Sequence, residues 1–416
     1  LCVRADAIIT NPNGPDHLKI FGTRLSNTKR GLVSLIVLTV LVLSIFIPIL
    51  GVQVGGEDFG GHEILARNME HAGKLTLPHF LYHVLLIGMD NIFPSWGLTF
   101  DSLIVLLGFE VLLGWILFAN FQRKLGSTEN AKHTLIRIAL ILSLMTIAPI
   151  LPLSLVTGSL HSGDWNFLAI TTYHNPTMIL LRPLALGLFY LSLLSFRKVP
   201  PDVRNIVFTA VLVILSTLAK PNFAICLAPA LVAVALFRMA RHLQINWKQL
   251  LFGLLLPMVV VLGWQFWFTY TQGSLSLSKS HIIFAPLALF PWSYIPLRFL
   301  LSILFPLALL LTYRQKILEN FPLAFSWLVF LVGAFFTYFI AESGERLKDG
   351  NFLWCGQITL FILVVTSTIY LFQSRKTPGE PYGWQRILLW SIFALHAGSG
   401  VVWYIGHLTR TAWWKS

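Results

Sequence analysis

Residues 31–58 read GLVSLIVLTVLVLSIFIPILGVQVGGED. The stretch 31–56 holds no charged residue. About 20 consecutive apolar residues cross the roughly 30 Å hydrocarbon core of a bilayer, so the run predicts a transmembrane helix. It is too long for the core of a secretory signal, and no small-x-small cleavage site follows it, so it reads as a retained helix. The first charges to appear are Glu57 and Asp58, an adjacent acidic pair at the far end of the run.

The rest of the chain has the same character. Its 416 residues are 56% hydrophobic and 11% charged, with a mean hydropathy of +0.74. Soluble domains carry roughly 25% charged residues. The fold class expected is therefore an all-α polytopic membrane protein. A net charge of +13 does not point to nucleic acid here, because Lys and Arg gather in the cytoplasmic loops of membrane proteins. Cys2, Cys226 and Cys355 are scattered and form neither a disulfide framework nor a metal-ligand pattern.

Apolar segments predict eleven spans, at about 31–52, 98–120, 135–156, 176–195, 206–219, 222–237, 249–270, 291–312, 321–341, 352–372 and 386–406. Placing the N-terminus inside puts 20 of the 30 basic residues on the cytoplasmic side and makes every inner loop basic. The C-terminus then lies outside. Residues 1–30 form a cytoplasmic tail, 31–406 a membrane domain, and 407–416 a short outer tail. Segment 80–94 (FLYHVLLIGMDNIFP) is apolar, but as a helix it is only about 22 Å long. Were it to span, every later loop would invert against the charge rule. It is expected to lie on the outer leaflet, inside a large first outer loop, 53–97. Further outer loops fall at about 157–175, 271–290 and 342–351, and no internal repeat is visible.

Within the first outer loop, Gly60 and Gly61 are expected to break the chain after Asp58. A helix follows from about His62 to Ala72, with Gly73 as its stop. Ile64, Leu65 and Met69 are expected on one apolar face, as in an interfacial amphipathic helix.

The residues able to carry chemistry cluster near the outer side. Asp58, with Glu57 beside it, is the candidate general base, because a hydroxyl acceptor needs a carboxylate to take its proton. A plain helix-capping role is the alternative. His62, His71, His79 and His83 share the loop. His79 and His83 have the i, i+4 spacing of a helical metal pair, but no Glu completes a motif, and interfacial anchoring accounts for them equally. His62 stands apart, being four residues from Asp58.

Lys220-Pro221-Asn222 interrupts two short apolar runs. A lysine there is costly unless it faces water or an anion, and short Pro-interrupted segments mark buried polar sites. Arg182, Arg298 and Arg346 are the other outer cations, suited to a phosphate or to snorkelling. His174 stands in the string His174-Asn175-Pro176-Thr177 ahead of Arg182. Loop 342–351 mixes charges next to Phe352 and Trp354, as a headgroup or sugar site does, or a solvated turn. Glu110 lies within a span and calls for a partner the sequence does not name.

This arrangement resembles the integral-membrane glycosyltransferases of the GT-C type, on Glu57-Asp58, the interfacial region 61–94 and Leu218-Ala219-Lys220-Pro221-Asn222. The resemblance implies an enzyme that moves a sugar from a polyprenyl-phosphate carrier to a cell-envelope glycan or lipid acceptor, outside the cytoplasmic (inner) membrane. Asp58 and Glu57 would be catalytic. His62, His174, Arg182, Lys220, Asn222 and Arg346 would bind substrate. The acidic pair leaves room for a divalent cation, and no cofactor is otherwise called for. A single carboxylate suits an inverting hexosyl- or pentosyltransferase. The chain carries none of the periplasmic C-terminal domain of oligosaccharyltransferases, which points to single-sugar transfer. Partners are membrane lipids, the donor and the acceptor, not nucleic acid. Two other classes compete. A transporter or flippase of a lipid-linked anion would use the same cations. A non-catalytic subunit of a membrane complex would use in-span histidines as pigment ligands, His396 being the clear one.

Overall fold

The structure, a computed structural model, describes residues 29–54, 56–122, 131–151, 168–199, 201–271, 280–289, 295–374 and 383–409. The expected inner basic residues Arg4, Lys19, Arg24, Arg123, Lys124, Arg375 and Lys376, the tail cysteine Cys2, and residues 157–167, 272–279 and 290 of the expected outer loops lie outside them.

Fourteen helices are described. They are α1 (Lys29–Gln53), α2 (Glu57–Ala72), α3 (Leu81–Ile92), α4 (Leu98–Gln122), α5 (Ala131–Thr146), α6 (Pro176–Ser192) and α7 (Val203–Ala219). They continue with α8 (Asn222–Ala240), α9 (Leu256–Thr271, entered through a π-helical turn at Gln249–Leu255), α10 (Ile295–Thr312), α11 (Arg314–Glu319), α12 (Phe321–Phe339), α13 (Leu353–Gln373) and α14 (Gly383–Thr409). A short antiparallel pair, β1 (Ile282–Phe284) with β2 (Ile340–Glu342), sets Ile282 opposite Glu342.

The chain is an all-α polytopic membrane protein. Among the described residues nine helices are long and apolar enough to cross a bilayer. Helices stand at all eleven expected spans, but α5 and α7 are only 16 and 17 residues long. α7 is stopped by Lys220-Pro221, and α5 ends at Thr146, after which the chain runs on without helix to Leu151.

Two helices form the centre. α6 and α13 are buried along almost their whole length, and α13 packs on α6, α8, α10 and α12. The tightest seam is α12 on α13, where Gly333 and Gly356 lie so close to the facing helix that a Cβ on Gly333 would stand 2.8 Å from the Cys355 carbonyl. The exposed apolar residues sit on peripheral helices, as expected where the solvent is lipid.

The end of α5 is an irregular backbone inside protein. Such backbone is tolerated in a membrane only where other groups satisfy it. Met145 O accepts from Arg182 Nη2 at 2.9 Å and from Thr171 Oγ1 at 3.3 Å. Ala148 O receives His396 Nδ1 at 2.8 Å, Ile150 N donates to Leu301 O, and Leu151 N donates to Ser399 Oγ. His396 Nε2 in turn accepts from Phe305 N at 3.4 Å, beside Pro306. Both ring nitrogens of His396 are thereby engaged, so it has no lone pair to offer a pigment.

The first connection departs from expectation. α2 begins at Glu57, with Gly56 as its N-cap, and runs straight through Gly60 and Gly61. Glycine costs a helix roughly 1 kcal/mol each but does not forbid one, and Phe59 is buried against the bundle to hold the turn. Asp58 therefore lies inside the first helical turn rather than ahead of it. The buried face is Phe59, Ala66 and Met69, while Ile64 is exposed. Gly73 ends the helix in the left-handed conformation, φ 57°, as its sequence predicts. α3, at 12 residues, is about 18 Å long and too short to cross alone.

Candidate functional site

Four elements converge at the end of the bundle that carries α2 and α3. The N-terminus of α2 brings Asp58, which is exposed. The N-terminus of α6 brings Asn175 as a side-chain N-cap, followed by Pro176 in the first turn, where proline's missing N–H costs nothing. The break between α7 and α8 brings Lys220. The start of α13 brings Trp354.

Asn175 joins the first three. Its Nδ2 donates to Asp58 Oδ2 at 3.2 Å. Its Oδ1 accepts from Lys220 Nζ at 3.3 Å, from Thr177 Oγ1 at 2.8 Å and from Met178 N at 3.0 Å. Lys220 Nζ also donates to Thr177 Oγ1 at 3.1 Å and lies 4.4 Å above the Trp354 ring. Lys220 is 7% exposed, and burial pulls its ammonium down to about 8 against the attraction of Asp58. His174 stacks on His407 and stands 6.0 Å from Trp354, ring to ring. Its imidazole is held below the ordinary range by burial, with Asp58 opposing and Lys220 adding to the effect.

A second layer lies beside Lys220. His62 Nδ1 and His83 Nε2 are 3.0 Å apart, with Tyr82 edge-on to both rings. Burial lowers His62 to about 3, helped by His83 and Lys220, and lowers His83 to about 4. His79 is lowered too, first by burial and then by Lys220, His83, His62 and Arg346. The pair chosen by the fold is thus His62 with His83, across two helices; His79 lies ahead of α3, in a bend, so the i, i+4 helical pair with His83 does not form. His83 is buried, so it does not anchor a surface helix. Among the described residues no group of three or more His, Cys, Asp or Glu is gathered to hold a metal. The Glu57 side chain lies outside the described residues.

Other candidates are placed elsewhere. Arg182 is inside the bundle, 3.4 Å from Glu110 Oε1 and 4.7 Å from the Phe361 ring centre, so Glu110 is the group it serves. Asn222 Nδ2 holds Asn351 O at 2.7 Å and Cys355 Sγ at 3.3 Å, which pins α8 to α13. Arg346 pairs with Glu342 at 3.4 Å and Asp349 at 3.6 Å. Glu342 also accepts from Tyr270 OH and Asn351 Nδ2, so loop 342–351 is a knit network and not a loose solvated turn. Arg298 is buried in α10 rather than snorkelling.

Asn175 and Thr177 are site members that the sequence did not assign, and Trp354, read with loop 342–351, stands instead over Lys220. Asn-Pro-Thr at a helix start is an N-cap signal, but nothing local says that the cap also faces Asp58. An apolar groove of about 440 Å³ between α1 and α4, lined by Leu43, Leu107, Val111 and Trp115 among others, shares no residue with this cluster.

The fold and cluster together define a polytopic helical membrane protein with a carboxylate and a buried ammonium held at one site. No family model matches the chain, and neither a curated protein nor a solved structure shows detectable similarity to it.

Proposed function

We propose that the chain is a membrane glycosyltransferase that moves a single hexose or pentose from a polyprenyl-phosphate carrier to a glycan or lipid acceptor of the cell envelope. The reading takes it as an eleven-span protein of the cytoplasmic membrane, N-terminus inside, with the Asp58 cluster on the outer face. The observation that carries it is the Asn175 bridge. Two hydrogen bonds and one amide width keep Asp58 Oδ2 and Lys220 Nζ no more than about 9 Å apart. In this reading one glycosyl phosphate lies against both groups, its phosphate on Lys220 and its anomeric carbon toward Asp58.

In this scheme Asp58 accepts the proton of the acceptor hydroxyl as that oxygen bonds to the anomeric carbon. The bond from that carbon to the phosphate oxygen breaks, and the electron pair leaves on the carrier phosphate beside Lys220. Attack opposite the leaving group inverts the anomeric centre. A carboxylate is matched to this role because it is exposed and its Oδ1 has no protein partner among the described residues. Glu57 precedes it in the same turn, and in this reading a divalent cation would bind at the acidic pair.

The test is transfer by Asp58→Asn. General-base catalysis is worth about 10²–10⁴-fold, so transfer falls by that factor in a chain that still inserts and folds. Full transfer by the variant ends the assignment. It would favour the transporter reading, which draws on the unwound end of α5 beside the Glu110–Arg182 pair, since broken helices frame substrate sites in transporters.

A further inference from the structure

The strongest unassigned feature is the orientation of the Asn175 side chain. Three donors converge on Oδ1: Met178 N, Thr177 Oγ1 and Lys220 Nζ. A backbone N–H and an ammonium have no lone pair to give. The amide therefore cannot turn over without setting an N–H₂ against two obligate donors. With Oδ1 locked, Nδ2 must point at Asp58, where it meets Oδ2 at 3.2 Å. Asn175 is itself buried and fixed at its root, because it caps α6 and is followed by Pro176, whose ring fixes its own φ and restricts the residue before it.

From this geometry we infer that Asn175 is the positioning residue of the site, a one-way amide that sets the Asp58 carboxylate against the substrate anchored on Lys220. The inference rests on the glycosyltransferase reading. The side chain touches neither reacting atom in the scheme above. It occupies Oδ2 of the carboxylate with a neutral donor, so that Oδ1 is presented to the acceptor hydroxyl. It also ties the flexible lysine stem to the same frame. Small displacements at this point matter, because misplacing a reacting group by about 1 Å can cost roughly 10²-fold in rate.

The experiment uses the full chain in lipid nanodiscs with farnesyl-phosphate-linked glucose, mannose, galactose and arabinose as donors. Asn175→Ser keeps a cap of equal rank for Met178 N but is too short to reach Asp58, so folding survives while the link is cut. The expected result is a fall in kcat of about 10–100-fold with a thermal midpoint unchanged from the parent. On the Asp58→Asn background the same change lowers kcat by less than about threefold, since residues acting as one unit do not add. A purely structural role would multiply the two losses and move the midpoint.

Asn175→Asp is the second variant. It preserves size, cap and an oxygen for Lys220, but it replaces the amide donor with a carboxylate facing Asp58. It is expected to lose at least as much kcat as Asn175→Ser. Parental kcat in either variant, with Asp58→Asn inactive, overturns the positioning role and leaves the glycosyltransferase reading standing. Multiplicative losses in the double variant overturn it in the same way. An active Asp58→Asn, or a parent chain that transfers from none of the four donors, removes that reading and this inference with it.

Discussion

Arg182 meets Glu110 at 3.4 Å with both side chains almost wholly buried, 2% and 1% exposed. The pair stands where α4 and α6 cross, and the same guanidinium holds the Met145 carbonyl at the frayed end of α5. One cation thus ties three helices. Removing one partner of a buried pair strands the other, at a cost of about 3–5 kcal/mol. Glu110→Ala is therefore expected to lower stability by that amount in detergent, read by thermal or denaturant unfolding. Arg182→Met should be at least as damaging, because it also frees Met145 O. The double variant Glu110→Leu with Arg182→Met should recover part of the loss. Single variants as stable as the parent would show that the pair does not hold these helices.

Close helix approach gives a second prediction. A Cβ on Gly400 would run into the Thr146 carbonyl, which is backbone and cannot swing aside, and one on Gly333 would strike Thr359 and the Cys355 carbonyl. Gly398, half a turn from Gly400, has nothing within 4 Å of its Cβ position. Overpacking costs about 1–3 kcal/mol, whereas alanine in an open helical site is worth up to about 1 kcal/mol over glycine. Gly400→Ala and Gly333→Ala should lower the unfolding midpoint, and Gly398→Ala should hold or raise it. Equal effects from Gly398→Ala and Gly400→Ala would contradict the packing described.

The His62–His83 contact sets a pH dependence. One ring donates and the other accepts across 3.0 Å, so the pair must not be doubly protonated. Their values fall from 6.5 to about 3 and about 4, while the unfolded chain keeps 6.5. The folded state therefore binds fewer protons than the unfolded state below pH 6.5. Stability is full above that value and falls as the pH drops toward 4. The slope is at most ~1.4 kcal/mol per pH unit for each histidine. Melting curves between pH 7.5 and 4.5 should show this loss. Replacing both residues by Gln should flatten the acid limb, and an unchanged limb in that double variant would place its origin elsewhere.

What the sequence made legible was largely one-dimensional. The run 31–56 and the Lys220-Pro221 break each carry their meaning locally, and the helices fall where they predict. The short length of 80–94 likewise matches a helix too short to cross. Four things were not legible, three because a partner is distant in sequence and one because burial overrides local propensity. Arg182 looked like an outer cation because sequence gives its depth but not the neighbour, and Glu110 lies 72 positions earlier in the chain. His83 was grouped with His79 by spacing, but its partner is on another helix. Gly60-Gly61 read as a break because local propensity argues against a helix there, and burial of Phe59 overrides that preference. Asn175 carried its capping signal openly, yet its contact with Asp58 joins residues 117 positions apart.

Lys220 yields the last prediction, because it is the cation the scheme sets against the donor phosphate. Its ammonium is buried, donates to Asn175 and Thr177, and sits over Trp354. In the proposed scheme it meets the donor phosphate in the ground state and meets more charge in the transition state, as the leaving oxygen takes up the electron pair, so it serves both binding and chemistry. Lys220→Met keeps the length and removes the charge. A lost charge-assisted contact is worth about 1.5–3 kcal/mol, which corresponds to a rise in donor KM of about 10–150-fold, with a fall in kcat beside it because the leaving phosphate loses its cation. Trp354→Leu leaves the ammonium but takes away its ring, a contact worth about 0.5–2 kcal/mol. It should raise the same KM by about 2–30-fold. The folded chain should tolerate Lys220→Met well, since burying an ammonium is itself costly. Steady-state transfer kinetics with a farnesyl-phosphate sugar would decide the matter. A Lys220→Met chain whose donor KM is unchanged would take the phosphate away from Lys220 altogether.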